Sequence, residues 1–205
     1  MTGFVSKLID FRSPFTAMHS AGVAESAVFL ARKAGMSEEE CARMRIAGNL
    51  HDIGKLRVPR EILEKPGKLT DREFNIMKEH AYYSYRILSR VSGFEDIAAW
   101  AAFHHEKLDG SGYPFHLDKA KIPLGSRIMA VADIFSATTE DRPYRKGMEK
   151  ERVVNILRKD ADREKLSKEI VELLVMHYDE INECRNRSSK AASEKYQEAL
   201  RNAER

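Results

Sequence analysis

The chain has 205 residues, 42% of them apolar and 33% charged, which is the balance of an ordinary soluble domain long enough to bury its own core. No apolar run reaches the roughly 20 residues that a membrane-spanning helix needs. Residues 1–12 also lack the continuous apolar core and small-residue cleavage site of a secretion signal, so the expected location is cytoplasmic. The net charge of +3 comes from residues 185–205, where six Lys/Arg face three Asp/Glu. The rest is formally neutral, and charge does not point to a nucleic-acid polymer as partner.

Hydrophobic periodicity is helical nearly throughout, and no pair of alternating apolar runs would make a sheet. The expected fold is therefore all-α, a bundle of about seven helices. Phe4, Val5, Leu8 and Ile9 are spaced for one face of a flanking helix over residues 1–12, which suits a core flank and also a docking or homodimer helix. Pro14 at a first helical position, the apolar Val23, Ala27, Leu30 and Ala31, and then Gly35 mark a capped helix with His19 in its first turns. Ser37 with Glu40 is a capping box that opens a second helix. That helix runs to His51 and Asp52, and Ile53-Gly54 stops it.

Lys65-Pro66-Gly67 breaks the chain, and Thr70 with Glu73 caps a third long helix carrying His80. Phe94 to His105 reads as a compact apolar helix, and residues 109–123 as an irregular loop rich in Gly and Pro. Leu124 to Thr139 makes a buried helix bearing Asp133. Further helices are expected near Glu149–Lys159 and Ser167–Cys184. Apolar content then drops, so the expected division is a flank at 1–12, a domain at 13–184 and a polar tail of weak helical propensity at 185–205. The two cysteines, Cys41 and Cys184, are too few and too far apart for a disulfide framework or a thiolate metal site.

Five of the seven histidines, His19, His51, His80, His104 and His105, fall on expected helices together with Asp52 and Asp133. His116 and His177 read as ordinary surface or core histidines. Adjacent residues on an α-helix project about 100° apart, so His104 and His105 can each face a different cation. The two oxygens of Asp52 allow it to bridge a pair. Imidazole and carboxylate donors without thiolate suit divalent iron, manganese, nickel, cobalt or zinc.

The segments His51-Asp52-Ile53-Gly54-Lys55 and His104-His105-Glu106-Lys107-Leu108-Asp109-Gly110-Ser111-Gly112-Tyr113-Pro114 resemble the signature of the HD-GYP cyclic di-GMP phosphodiesterases. The resemblance extends over about residues 13–160, through Lys65 to Thr70, His80, Ile122-Pro123-Leu124, Val131-Ala132-Asp133 and Asp141-Arg142-Pro143-Tyr144-Arg145. It implies an HD-domain helical bundle and metal ligation by His19, His51, Asp52, His80, His104, His105 and Asp133, with Asp52 bridging. The implied cofactor is two divalent ions, iron or manganese foremost. The implied reaction is hydrolysis of cyclic di-GMP to pGpG, and onward to GMP, by a hydroxide that the ions generate and direct.

Lys55, one turn after Asp52, would meet the scissile phosphate as a positive charge. Arg142 and Arg145 match positions resembling phosphate and guanine contacts. Gly112-Tyr113-Pro114 would form a lip of the site, with Tyr113 against a base or packing the loop, and a surface for diguanylate cyclases or adaptor proteins. Three departures stand out. Phe15 occupies the place of a glutamate that gives some relatives a third metal, which implies two ions here. Ser136 replaces a common aspartate, and His116 a frequent glycine. The alternatives are a hydrolase of another cyclic dinucleotide or nucleotide, and a catalytically silent cyclic di-GMP receptor or interaction module.

Overall fold

The computed structural model describes residues 14–141 and 146–203. The flank expected at 1–12 and the contacts expected of Arg142 and Arg145 lie outside the described residues. The described chain is all-α, with nine α-helices joined by short 3-10 turns. They are α1 (Pro14–Lys33), α2 (Glu38–Leu50), α3 (Arg60–Leu63), α4 (Asp71–Leu88), α5 (Glu95–Ala102), α6 (Leu124–Thr139), α7 (Lys150–Asp162), α8 (Lys168–Met176) and α9 (Tyr178–Ala203). Among them no helix is long and apolar enough to cross a membrane.

Both capping boxes form as the sequence predicts. The Ser37 and Thr70 hydroxyls accept from the amides of Glu40 and Glu73, and those carboxylates reach back to the cap residues. Each cap stabilises its helix start by about 1 kcal/mol. Lys65 also reaches Glu73, 2.6 Å away, and holds its carboxyl down to about 2 together with Thr70. The breaker before α4 is thus fastened to the helix it precedes.

Helix α1 lies at the centre, packed by α2, α6 and α9. Its buried Val23, Ala27, Leu30 and Ala31 join Met44, Ile97, Met129, Phe135 and Leu157 in one core. Gly125 of α6 lets that helix approach α5 closely, since a Cβ there would stand 2.5 Å from the Trp100 ring.

Three local readings differ from expectation. The apolar run ending at His105 leaves the α-helix at Ala102 and tightens into a 3-10 turn over Phe103–His105. The expected helix over Ser167–Cys184 is two helices, with the chain re-entering at Tyr178. Residues 185–203, expected to be weakly helical, continue α9. The buried residues Tyr178, Ile181, Arg185 and Ser189 recur along one face of α9, and the Ser188 and Ser189 hydroxyls donate to the carbonyls of Ala21 and Met18 on α1. Half of that buried face is polar, so hydropathy alone does not reveal it.

Candidate metal centre

Five separate segments bring the seven expected ligands to one place. His19 comes from the start of α1. His51 and Asp52 come from the C-terminal end of α2, where Asp52 opens the Ile53–Arg57 3-10 turn. His80 comes from the middle of α4, His104 and His105 from the 3-10 turn after α5, and Asp133 from α6. Among the described residues three groups have the donor spacing of a metal site: His80, His104 and His105; His51, Asp52 and His104; and His19, His51 and Asp133. Within each group the donor atoms lie within 4.8 Å of one another. Together the groups contain all seven expected ligands.

Three imidazoles are oriented in the same way. His51, His80 and His104 each donate from Nδ1 to the carbonyl three residues earlier, on Gly48, Met77 and Ala101, at 2.8, 2.6 and 2.6 Å. That bond fixes the tautomer and leaves the Nε2 lone pair pointing inward. Among the described residues these three Nε2 atoms are buried with no hydrogen-bond partner. Three orphaned acceptors so close together would be costly in a finished core. They are what a cation requires, so the donor set fits a metal ion.

Asp52 lies among these rings. Its Oδ2 is 3.3 Å from His51 Nε2 and its Oδ1 is 3.3 Å from His80 Nε2, so each oxygen faces a different donor group. Lys55, which belongs to the 3-10 turn, donates to Oδ2 at 2.5 Å. Burial acts to raise the Asp52 carboxyl, but the neighbouring Lys55 and His51 hold it well below the usual range. Burial lowers His80, keeps His104 well below the ordinary imidazole value and brings His105 down to about 3. His80, His104 and His105 are therefore neutral imidazoles and Asp52 an ionised carboxylate, the forms that ligate metals.

His19 differs from the other four. Its Nε2 donates to Asp133 Oδ1 at 3.1 Å and its Nδ1 donates to Glu140 Oε2 at 3.0 Å. Burial would lower His19, yet Asp133 and Glu140 hold it up to about 9. Asp133 in turn is held well below its usual range, since His19 and the surrounding imidazoles outweigh its burial.

The turn that carries Lys55 depends on Gly54. A Cβ there would stand 1.9 Å from the His80 carbonyl oxygen and 2.7 Å from the Ser84 amide, so only glycine lets the turn lie against α4. Ser84 ties the two together, accepting from the Gly54 amide and donating to the His51 carbonyl. On the other side the Tyr113 ring packs on His105, with centroids 4.7 Å apart. The Gly112-Tyr113-Pro114 loop is held by Glu106, which is buried and accepts from the amides of Phe115 and Leu117 at 2.7 and 3.0 Å.

Of the three departures, His116 adopts a left-handed backbone with φ of 52°, the conformation in which glycine carries no steric penalty. The Ser136 hydroxyl is buried without a hydrogen-bond partner among the described residues. Phe15 lies on α1 one turn before His19.

Sequence reasoning missed Glu140, Ser84 and Glu106. Glu140 follows Asp133 by seven residues, two helical turns on one face, and that spacing could have singled it out. Ser84 bears the same relation to His80 at four residues. Glu106 gives no such signal, because its partners lie in an irregular loop.

An HD domain family model matches residues 3–170. The 3'3'-cGAMP-specific phosphodiesterase 1 of Vibrio cholerae is 42% identical over 171 residues, 83% of this chain and 40% of that protein. The cyclic di-GMP phosphodiesterase response regulator RpfG of Xanthomonas campestris pv. campestris is 41% identical over 143 residues, 69% of this chain and 38% of that protein. The crystal structure of the L. monocytogenes phosphodiesterase PgpH HD domain superposes with a TM-score of 0.59 at 18% identity, covering 94% of this chain and 98% of that one. That likeness concerns the fold. The chain belongs to the HD-domain family and carries the HD-GYP signature at His51-Asp52 and Gly112-Tyr113-Pro114. Its match spans about two fifths of the length of these curated relatives.

Proposed function

We propose that this chain is a metal-dependent phosphodiesterase that hydrolyses cyclic di-GMP to pGpG, and then to GMP, at a centre of two divalent ions. The observation that carries the reading is the convergence of three buried, unpartnered Nε2 atoms on two ionised carboxylates. His80, His104 and His105 would hold one ion and His19, His51 and Asp133 the other, with Asp52 shared. Iron or manganese suits this donor set best, with nickel, cobalt and zinc also compatible. When bound, such ions make a water nucleophilic at neutral pH and offset charge on a phosphate.

The chain's own residues supply the rest. Lys55, held beside Asp52, puts a cation next to the position of the scissile phosphate and offsets the charge that develops there. Tyr113 fixes His105 by ring packing and presents its outer face to a base. Arg142 and Arg145 are proposed as further contacts to phosphate and guanine. In this reading the catalytic unit is the domain expected at 13–184 together with the rest of α9, which packs on α1; it acts in the cytoplasm, and the Gly112-Tyr113-Pro114 loop offers a surface for diguanylate cyclases or adaptor proteins.

A second substrate has specific support. Relatives named as 3'3'-cGAMP-specific phosphodiesterases 1 and 3 are 42% and 43% identical over 83% and 74% of the chain. The deciding experiment supplies cyclic di-GMP, 3'3'-cGAMP and a nucleoside monophosphate at equal manganese loading. Fastest turnover of cyclic di-GMP is expected. Fastest turnover of 3'3'-cGAMP would reassign the substrate, and tight binding of either without turnover would make the chain a receptor.

A further inference from the structure

His19 is oriented by a carboxylate from another helix end, whereas His51, His80 and His104 are oriented by carbonyls of their own helices. That carboxylate, Glu140, sits at the C-cap of α6, 121 residues away in sequence. Its side chain is only 12% exposed. Behind it stands α9. A Cβ on Gly22 would lie 2.8 Å from Ser189 Oγ, 3.1 Å from Arg185 Cγ and 3.5 Å from Glu140 Oε1, so one gap beside α1 receives all three.

Arg185 is buried, 4% exposed, and donates to Asn182 and Asn186 on its own helix. Burial lowers the Arg185 guanidinium, and the charges of Glu140, Tyr178 and Asp141 oppose that shift. Ser189 fastens α9 to the Met18 carbonyl, next to His19. A carboxylate that receives the outer N–H of a ligating imidazole fixes its tautomer and aim, and losing such a partner typically weakens metal binding about 10–100-fold.

We propose that Glu140, braced by Arg185 and Ser189 of α9, is the positioning residue that aims His19 at its metal ion, which makes α9 part of the frame of the centre. This inference rests on the metal reading above.

The test titrates manganese(II) into the metal-free full chain and into Glu140→Ala and Glu140→Gln, with each site's affinity read by calorimetry and electron paramagnetic resonance. Circular dichroism checks that the variants fold. The wild type is expected to show two sites. Glu140→Ala should weaken one of them about 10–100-fold and leave the other unchanged. Glu140→Gln keeps an acceptor but loses the charge, and should weaken the same site less. Unaltered affinity in both variants, or equal loss at both sites, overturns the inference while leaving the metal reading intact. Outright loss of an ion in both variants also overturns it, because Glu140 would then be a ligand itself. If the alanine variant does not fold, Glu140→Gln decides by the same criteria. A wild-type chain that takes up no manganese removes the metal reading and this inference with it.

Discussion

Each ligand of the centre is set by one or two specific neighbours. Asp52 remains a carboxylate in a buried place because Lys55 and His51 lie beside it. The carbonyls behind His51, His80 and His104 settle which ring nitrogen carries the proton. His19 is the ligand whose pKa is raised in the metal-free chain. Its folded pKa of about 9 stands above the unfolded value of 6.5. The stabilisation it contributes is therefore complete below pH 6.5 and is lost as pH rises towards about 9, an effect on the order of 3 kcal/mol. Urea unfolding of the metal-free chain at about pH 6 and about pH 9 should show that fall. His19→Ala should remove most of it, and a wild type equally stable at both values would sink the assignment.

The elements show how local signals build a non-local site. Gly54 is the point at which the 3-10 turn carrying Lys55 meets α4. In Gly54→Ala the added carbon would meet the His80 carbonyl, a backbone atom that cannot turn away, so the turn must shift and take Asp52 and Lys55 with it. Thermal unfolding should show a loss of about 1–3 kcal/mol, with weakened metal binding in the same variant. A Gly54→Ala chain that binds metal as tightly as wild type would contradict this packing account.

The same scale explains what was legible in sequence. The two capping boxes and the helix over Leu124–Thr139 depend on neighbours a few residues apart, and they form where expected. The end of the apolar run at His104-His105 is not legible in sequence because an α-helix and a 3-10 turn share its composition. The second half of helix α9 is hidden in sequence because Arg185 and Ser189 occupy positions on its buried face where a hydropathy pattern looks for Leu or Ile.

At the scale of the molecule, the centre exists only because helices distant in sequence pack around α1. The ligand types were readable one by one from the chain. Their grouping was readable only through the resemblance to a family, since nothing local links His19 to Asp133 across 114 residues. Glu140 is hard to see because its partner His19 is 121 residues away, and only its seven-residue spacing from Asp133 hints at it. If these side chains make one shared two-ion centre, metal stoichiometry reports it. The chain, purified without oxygen and loaded with iron(II) or manganese(II), is predicted to hold two tightly bound ions, and Asp52→Ala, which removes the shared carboxylate, to lose tight binding of both. One, three or no ions in the wild type, or two retained in Asp52→Ala, would contradict it.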